Sequence, residues 1–298
     1  MESTQSKLFK MLLKLVRRKQ FWYKTGNELV EGILKRRKLD YRPSASIVKT
    51  MQMTLHEEKG FQYYVINETA AIQPIHIIYL HGGGYVHNIT KYHWHFLSRL
   101  AQALQCTITI PLYPLAPENT YKETFECVSP LYEKVIRKSG AKHTVVMGDS
   151  AGGGLAFALI QLMKKQGVPL PKQTVLISPW LDLTLKNKEI DDIDSLDPFL
   201  AKPGAMEAGK MYAGDKNPNH YLLSPINGDV TGLGKVAMFM GTHDILVADA
   251  RKLVNRMEAA GSPITYYEYA NMIHVFPLFT FPEAKRAFEH MIEWMEQK

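Results

Sequence analysis

The run Gly148-Asp149-Ser150-Ala151-Gly152 constrains the fold of this chain more than any other stretch, because strand-like residues enter it and a helical pattern leaves it. His143 to Met147 is apolar and β-branched, while Leu155, Leu159, Leu162 and Met163 recur at helical spacing between Ala151 and Gln166. A strand that turns sharply into a helix forces its turn residue into a strained conformation. The small residues Gly148, Ala151 and Gly152 relieve the crowding this creates around Ser150. The Ser150 hydroxyl is therefore expected to stand above the edge of a sheet.

A second glycine cluster, His81-Gly82-Gly83-Gly84, follows the apolar run Ile75 to Leu80. Backbone amides must come within about 3 Å of a developing oxyanion, and residues without a Cβ allow that approach. An ordinary Gly-rich strand-to-helix turn has the same composition; the company of Ser150 favours the anion-binding reading. A hydroxyl is a weak nucleophile at neutral pH and needs a His base with a carboxylate to orient it. Val236 to Gly241 ends in Thr242-His243-Asp244, which puts Asp244 where a strand gives way to a loop. Ile264 to Tyr269 reads as a further strand, and His274 falls in the loop beyond it.

Other acids and histidines compete for these roles. Asp249 lies in a helix-like segment beside Arg251 and Lys252, where a solvated face is the simpler reading. Asp191, Asp192, Asp194 and Asp197 belong to a polar connecting region, and Asp229 stands alone. His220 sits beside an Asn-Pro loop, His290 on the C-terminal helical pattern, and His243 directly before the proposed acid. His93 and His95 flank Trp94 without a Cys or carboxylate to complete a metal set, so they read as surface residues at a helix start, and no metal is expected.

Taken together these residues resemble the hormone-sensitive lipase group of α/β-hydrolase esterases and lipases. His81 to Gly84 is similar to the group's His-Gly-Gly-Gly, and Gly148 to Gly153 reproduces its Gly-Asp-Ser-Ala-Gly-Gly. Tyr113-Pro-Leu-Ala-Pro-Glu118, Ser178-Pro-Trp-Leu-Asp182, Asp244-Ile-Leu246 and His274-Val-Phe-Pro277 resemble further segments. The resemblance implies Ser150 as nucleophile, Asp244 as orienting acid and His274 as base, with the amides of Gly83, Gly84 and Ala151 as oxyanion hole. His81, Gly82, Gly148, Asp149 and Gly152 support them as motif residues. Tyr85 after the glycines, Val86-His87-Asn88 without a small residue, and His243 beside Asp244 depart from the pattern, the first two at the mouth of the pocket.

Apolar runs near 75–80, 107–112, 143–148, 174–178, 235–240 and 264–269 alternate with helical patterns at Trp94 to Gln105, Thr124 to Lys138 and Leu246 to Ala260. Val48 to Leu55 and Phe61 to Ile66 read as a hairpin around Glu57-Glu58-Lys59-Gly60. The expectation is an α/β-hydrolase fold: a mostly parallel eight-stranded sheet with helices on both faces and a helical cap. Residues 1–45 form an N-terminal cap segment, and 46–298 a catalytic domain with a cap insertion at about 181–224, a stretch that Pro and Gly should break into short helices and turns.

Net charge is +7, but residues 1–50 hold thirteen Lys or Arg against four acids, a net of +9. Leu8, Phe9, Leu12, Leu13, Leu15 and Val16 oppose Lys7, Lys10, Lys14 and Arg17 on one amphipathic helix. Packing against the catalytic domain is the simpler role for it, and weak contact with a membrane surface the alternative. No nucleic-acid motif accompanies the basic patch. Lysines interrupt every early apolar run, so no signal peptide is expected. Cys106 and Cys127 read as buried, and the expected compartment is cytoplasmic. The implied chemistry is serine carboxylesterase turnover of short- to medium-chain acyl esters without a cofactor. An amidase or peptidase on the same fold, or a ligand-binding protein that has lost turnover, stays open, as does a homodimer.

Overall fold

The computed structural model of the chain describes residues 2–39, 41–68 and 75–297. One sheet of eight strands organises it: β1 (Thr54–Glu58), β2 (Phe61–Ile66), β3 (His76–Leu80), β4 (Thr107–Pro111), β5 (Thr144–Asp149), β6 (Gln173–Ile177), β7 (Lys235–His243) and β8 (Ile264–Ile273). Their spatial order is β1-β2-β4-β3-β5-β6-β7-β8, with β1 and β2 antiparallel and every pairing from β4 onward parallel. This is the mostly parallel eight-stranded sheet read from the alternation of apolar runs.

Side-chain alternation along the central strands feeds two main cores, with a small third cluster of Tyr63, Val65 and Leu131 under β2. Ile77, Tyr79, Val145, Met147, Val175 and Phe239 pack on one face against α4 (Lys91–Leu104) and α10 (Pro282–Glu296). Ile78, Leu80, Val146, Leu176 and Met238 pack on the other against α5 (Tyr121–Ser139), α6 (Ala151–Lys165) and α9 (Val247–Ala259). With both faces covered, the central strands are buried along their whole length, which is why they read as continuous apolar runs.

The chain runs from β3 outward to β4 and then crosses back over β3 to β5. Strand order reverses between β3 and β5, whose ends lie in register at Leu80 and Gly148. In open α/β sheets the crevice at such a reversal is where ligands bind. It brings the His81–Gly84 turn, 67 residues away in sequence, onto Asp149.

The N-terminal residues form α1 (Thr4–Leu15), a 3-10 stretch at Arg18–Tyr23 and α2 (Gly26–Arg37), and the stretch 181–224 carries α7 (Glu189–Asp194) and α8 (Lys202–Ala213). Lys19 Nζ bonds the Asp194 carbonyl and, at 3.0 Å, its carboxylate, joining the two regions. Arg37 donates to the carbonyls of Val86 and Ala116 and to Glu118, which fastens α2 to the loops beyond β3 and β4. On α1 only Ser6 and Leu13 are buried, with Phe9 partly covered. Leu8, Leu12, Leu15 and Val16 stay exposed, Leu15 at 78%. The helix therefore docks by a narrower stripe than its sequence pattern offers.

Two expectations about local structure are corrected. Val48 to Leu55 is not one strand: α3 (Ala45–Thr50) takes its first half, started by the Ser44 side chain accepting from the Ile47 amide. The edge strand β1 begins only at Thr54. Its hairpin turns tightly at Lys59 and Gly60, both at positive φ, as a two-residue connection between twisted strands requires. At the far edge, β8 continues past Tyr269 to Ile273, because a bulge opposite Gly241 and His243 absorbs the mismatch and lets pairing resume. No helix among the described residues is long and apolar enough to cross a membrane.

Candidate active site

Ser150 occupies the turn between β5 and α6 at φ 52 and ψ −122, a conformation that L-residues avoid and that costs on the order of 1–3 kcal/mol. The turn is held from several sides. Ser150 donates its amide to the Ile177 carbonyl at 2.8 Å, and its own carbonyl accepts from Trp180 at 2.9 Å and Gly154 at 3.1 Å. Gly152 crosses β3 so closely that a Cβ there would stand 2.0 Å from the Leu80 carbonyl oxygen. Only glycine permits the helix to start at this depth.

His274 joins the strand ends. Its Nε2 lies 2.9 Å from Ser150 Oγ and its Nδ1 2.9 Å from Asp244 Oδ2. An ionised carboxylate can only accept, so Nδ1 carries the proton and Nε2 is left to accept from the Ser150 hydroxyl. Asp244 is fully buried, His274 is 2% exposed and Ser150 8%. Burial pulls the imidazole toward neutrality, but the charge and hydrogen bond of Asp244, with Asp197 and Asp149 behind it, outweigh that pull. The His274 pKa therefore lies above its ordinary 6.5.

The glycine loop is fixed by the residue before the serine. Asp149 Oδ1 accepts from the Gly82 amide at 2.8 Å and from the Tyr79 hydroxyl at 2.7 Å, and Oδ2 lies 3.2 Å from His93 Nε2. Burial opposes ionisation of Asp149, yet His93 and these bonds hold its carboxyl below the ordinary range. His81 stacks on Tyr113 with ring centres 4.4 Å apart, its Nδ1 donating to the Gly82 carbonyl. Burial drops its pKa to about 4, so it stays neutral. Gly84 sits at φ 64 where a Cβ would meet the Trp22 ring at 2.6 Å. Among the described residues, no backbone carbonyl takes the amides of Gly83, Gly84 or Ala151, so three donors are left at the crevice beside Ser150, the last at the positive end of α6.

A cavity of about 640 Å3 opens on Ser150 and His274. Its walls come from the N-terminal residues (Leu13, Trp22), the glycine loop, the 181–224 stretch (Phe199, Leu200) and the residues after β8 (Leu278, Phe279). They are mostly apolar, which suits the hydrocarbon part of a small ligand. Tyr85 is not at the mouth: it is buried and stacks on Tyr212 of α8 with ring centres 3.7 Å apart. His243 is acted on by Lys10 and Lys14 of α1. His220 and His290 have other partners, the Leu222 amide and the Tyr269 hydroxyl.

Three readings of single residues are overturned. His93 is buried in the Asp149 network, while His95 is exposed. Asp249 is buried, its Oδ1 accepting from Asn187 at 3.1 Å. Asp197 does not lie in a solvated connection: its Oδ2 accepts from the Ile245 amide at 3.0 Å, directly behind the acid, and its Oδ1 from the Phe199 and Leu200 amides. Burial and the neighbouring Asp244 push its carboxyl up to about 7. The sequence signal for Asp197 was its place before Pro198 and two residues ahead of an amide it caps, which marks a turn but not what the turn packs against. Among the described residues, no three His, Cys, Asp or Glu side chains gather as a metal site.

This sheet, with a serine on the strand–helix turn and a carboxylate and imidazole at later strand ends, defines a hydrolase architecture. Residues 77–278 match the family described by the alpha/beta hydrolase fold. An acetyl-hydrolase of Streptomyces hygroscopicus is 32% identical over 216 residues, 72% of each chain. An esterase of Acinetobacter venetianus is 30% identical over 223 residues, 73% of each chain. The crystal structure of an esterase from the bacterial hormone-sensitive lipase family superposes with a TM-score of 0.81 at 28% identity, covering 99% of this chain and 98% of that one. The chain belongs to the α/β-hydrolase family, in its hormone-sensitive lipase group. It is a carboxylic ester hydrolase.

Proposed function

We propose that this hydrolase is a serine carboxylesterase acting on short- to medium-chain acyl esters through Ser150, His274 and Asp244. The observation that carries the reading is the double hydrogen bond of the buried His274, at 2.9 Å to both Ser150 Oγ and Asp244 Oδ2. His274 Nε2 takes the hydroxyl proton as Ser150 Oγ bonds to the ester carbonyl carbon. The carbonyl electrons move onto oxygen, where the amides of Gly83, Gly84 and Ala151 stabilise them. Collapse breaks the bond to the leaving oxygen, which departs as an alcohol with the proton held by His274. Water repeats the sequence on the acyl-serine, releasing the acid and restoring the hydroxyl.

Residues 1–45 and 181–224 serve as the cap in this reading, since side chains from both bound the cavity around Ser150. The proposed compartment is the cytoplasm. The exposed Leu8, Leu12 and Leu15 beside Lys7 and Lys14 support a weak contact with an anionic lipid surface, which vesicle co-sedimentation reads. The deciding experiment is hydrolysis of p-nitrophenyl esters from acetate to laurate with Ser150→Ala protein in parallel. Activity highest on shorter chains and absent from the variant is the expected result. Turnover that survives in Ser150→Ala overturns the nucleophile.

A further inference from the structure

Arg18 turns inward just after α1, and its Nη1 is fully buried without a hydrogen-bond partner. Its guanidinium carbon lies 4.5 Å from the centre of the Phe199 ring, and that ring stands 5.6 Å from the imidazole of His274. Arg36, on α2, lies 3.7 Å from the centre of the Phe21 ring. Both arginines line the cavity that holds Ser150.

Lys19 and Arg37, each next to one of them in sequence, are ion-paired, with Asp194 and Glu118. Among the described residues, no carboxylate forms an ion pair with Arg18 or Arg36. Burial, and then the like charge of Arg36, brings Arg18 down to about 10, which still leaves it cationic at neutral pH. Contact with an aromatic face recovers only part of what a guanidinium loses on leaving water. Trp22 and His87, which line the same cavity, each also bury a polar atom without a partner, Nε1 and Nε2. Burial and the surrounding arginines keep His87 neutral, with its pKa at about 3. Two arginines that are half or more buried, with no carboxylate partner among the described residues and lining an ester-binding cavity, are placed to meet a charge that arrives with the ligand.

We propose that Arg18 and Arg36 form a subsite for an anionic group, a carboxylate or a phosphate, carried by the ester substrate, with the Trp22 indole N–H as a further donor. A guanidinium offers such groups two parallel hydrogen bonds, and mostly apolar surroundings strengthen them. The inference rests on the esterase reading for what is held near Ser150, and selectivity between matched esters separates the two.

The test is kcat/KM for butyrate release on two pairs: 4-butyryloxybutanoate against the neutral 4-butyryloxybutanamide, and butyryl glycerol phosphate against butyryl glycerol. In the wild type the charged member of at least one pair is expected to lead by about tenfold or more, mainly through KM. Preference in only one pair assigns the anion as carboxylate or phosphate. Arg18→Gln and Arg36→Gln each lower that ratio about tenfold, and Arg18→Lys keeps part of it. Because the ratio is taken within one protein, partial loss of folded enzyme cancels. Equal rates on charged and neutral members, or a ratio untouched by both glutamine variants, overturns the subsite. Loss of turnover on every neutral ester is instead a failure of the esterase reading, and calorimetric binding of the same pairs to Ser150→Ala then decides the subsite by the same ratio.

Discussion

His274 stands under opposing demands: a buried imidazole resists protonation, and a buried carboxylate at 2.9 Å invites it. The carboxylate prevails, so the acid limb of kcat/KM, which reports the free enzyme's base, is expected at a midpoint above 6.5. In the proposed mechanism the rate rises with pH through that midpoint because only the neutral imidazole can accept the Ser150 proton. Asp244→Asn removes the charge that holds the value up. The limb then moves to lower pH, while the plateau falls on the order of 10^3- to 10^4-fold through loss of the orienting, charge-stabilising partner. A pH–rate profile of both proteins on p-nitrophenyl butyrate checks this; an unmoved limb and plateau would mean that another acid, with Asp197 the nearest candidate, serves His274. The placing of Ser150, Asp244 and His274 at strand ends was legible because each follows a strand-like run at a motif of small or polar residues. Asp197 was not, since its partner amide at Ile245 is 48 residues away and is reached only when the intervening chain folds back.

Among the elements, α9 shows why a correct secondary structure still misplaces a side chain. The helical pattern was legible, and Arg251 and Lys252 on it suggested that Asp249 faced water. The 181–224 stretch, however, covers the start of α9 and delivers Asn187 against Asp249, which is 1% exposed. Nothing in the periodicity of a helix says which outside segment will cover it. Asp249 Oδ2 has no partner, and burial pushes the carboxyl up to about 6. A carboxyl with a raised folded pKa favours the native state least once ionised, so its cost develops as pH climbs from about 4 to about 6 and is complete above that. Asp249→Asn keeps the acceptor for Asn187 and removes the charge. We expect it to raise stability by roughly 1–2 kcal/mol at pH 8, with little gain at pH 4.5. Calorimetric melting temperatures at the two pH values measure this; a gain of equal size at both would show that packing, and not ionisation, sets the difference.

At the scale of the whole molecule, the sheet was legible from alternating apolar runs, whereas the cavity was legible only as two cap segments and not in how its walls meet. Its walls come from the chain start, the glycine loop, the 181–224 stretch and the residues after β8, and no local pattern encodes how those distant pieces meet. In the proposed reading the acyl-length limit therefore responds to a residue far in sequence from every proposed catalytic group. Trp22 is that residue: it is 3% exposed, packs edge-on to Phe21 with ring centres 5.2 Å apart, and presses on Gly84 so closely that no Cβ fits between them. Trp22→Leu removes most of an aromatic wall while leaving Ser150, His274 and Asp244 untouched. Part of the vacated volume becomes cavity and part is lost as packing, at about 2–4 kcal/mol of stability. The expected outcome is a shift of the p-nitrophenyl ester profile toward longer chains, with the laurate-to-butyrate ratio of kcat/KM up about tenfold. A lowered melting temperature with an unchanged ratio would mean that Trp22 supports the glycine loop without bounding the space the acyl chain occupies, and that the limit is set from the Phe199 and Leu278 side.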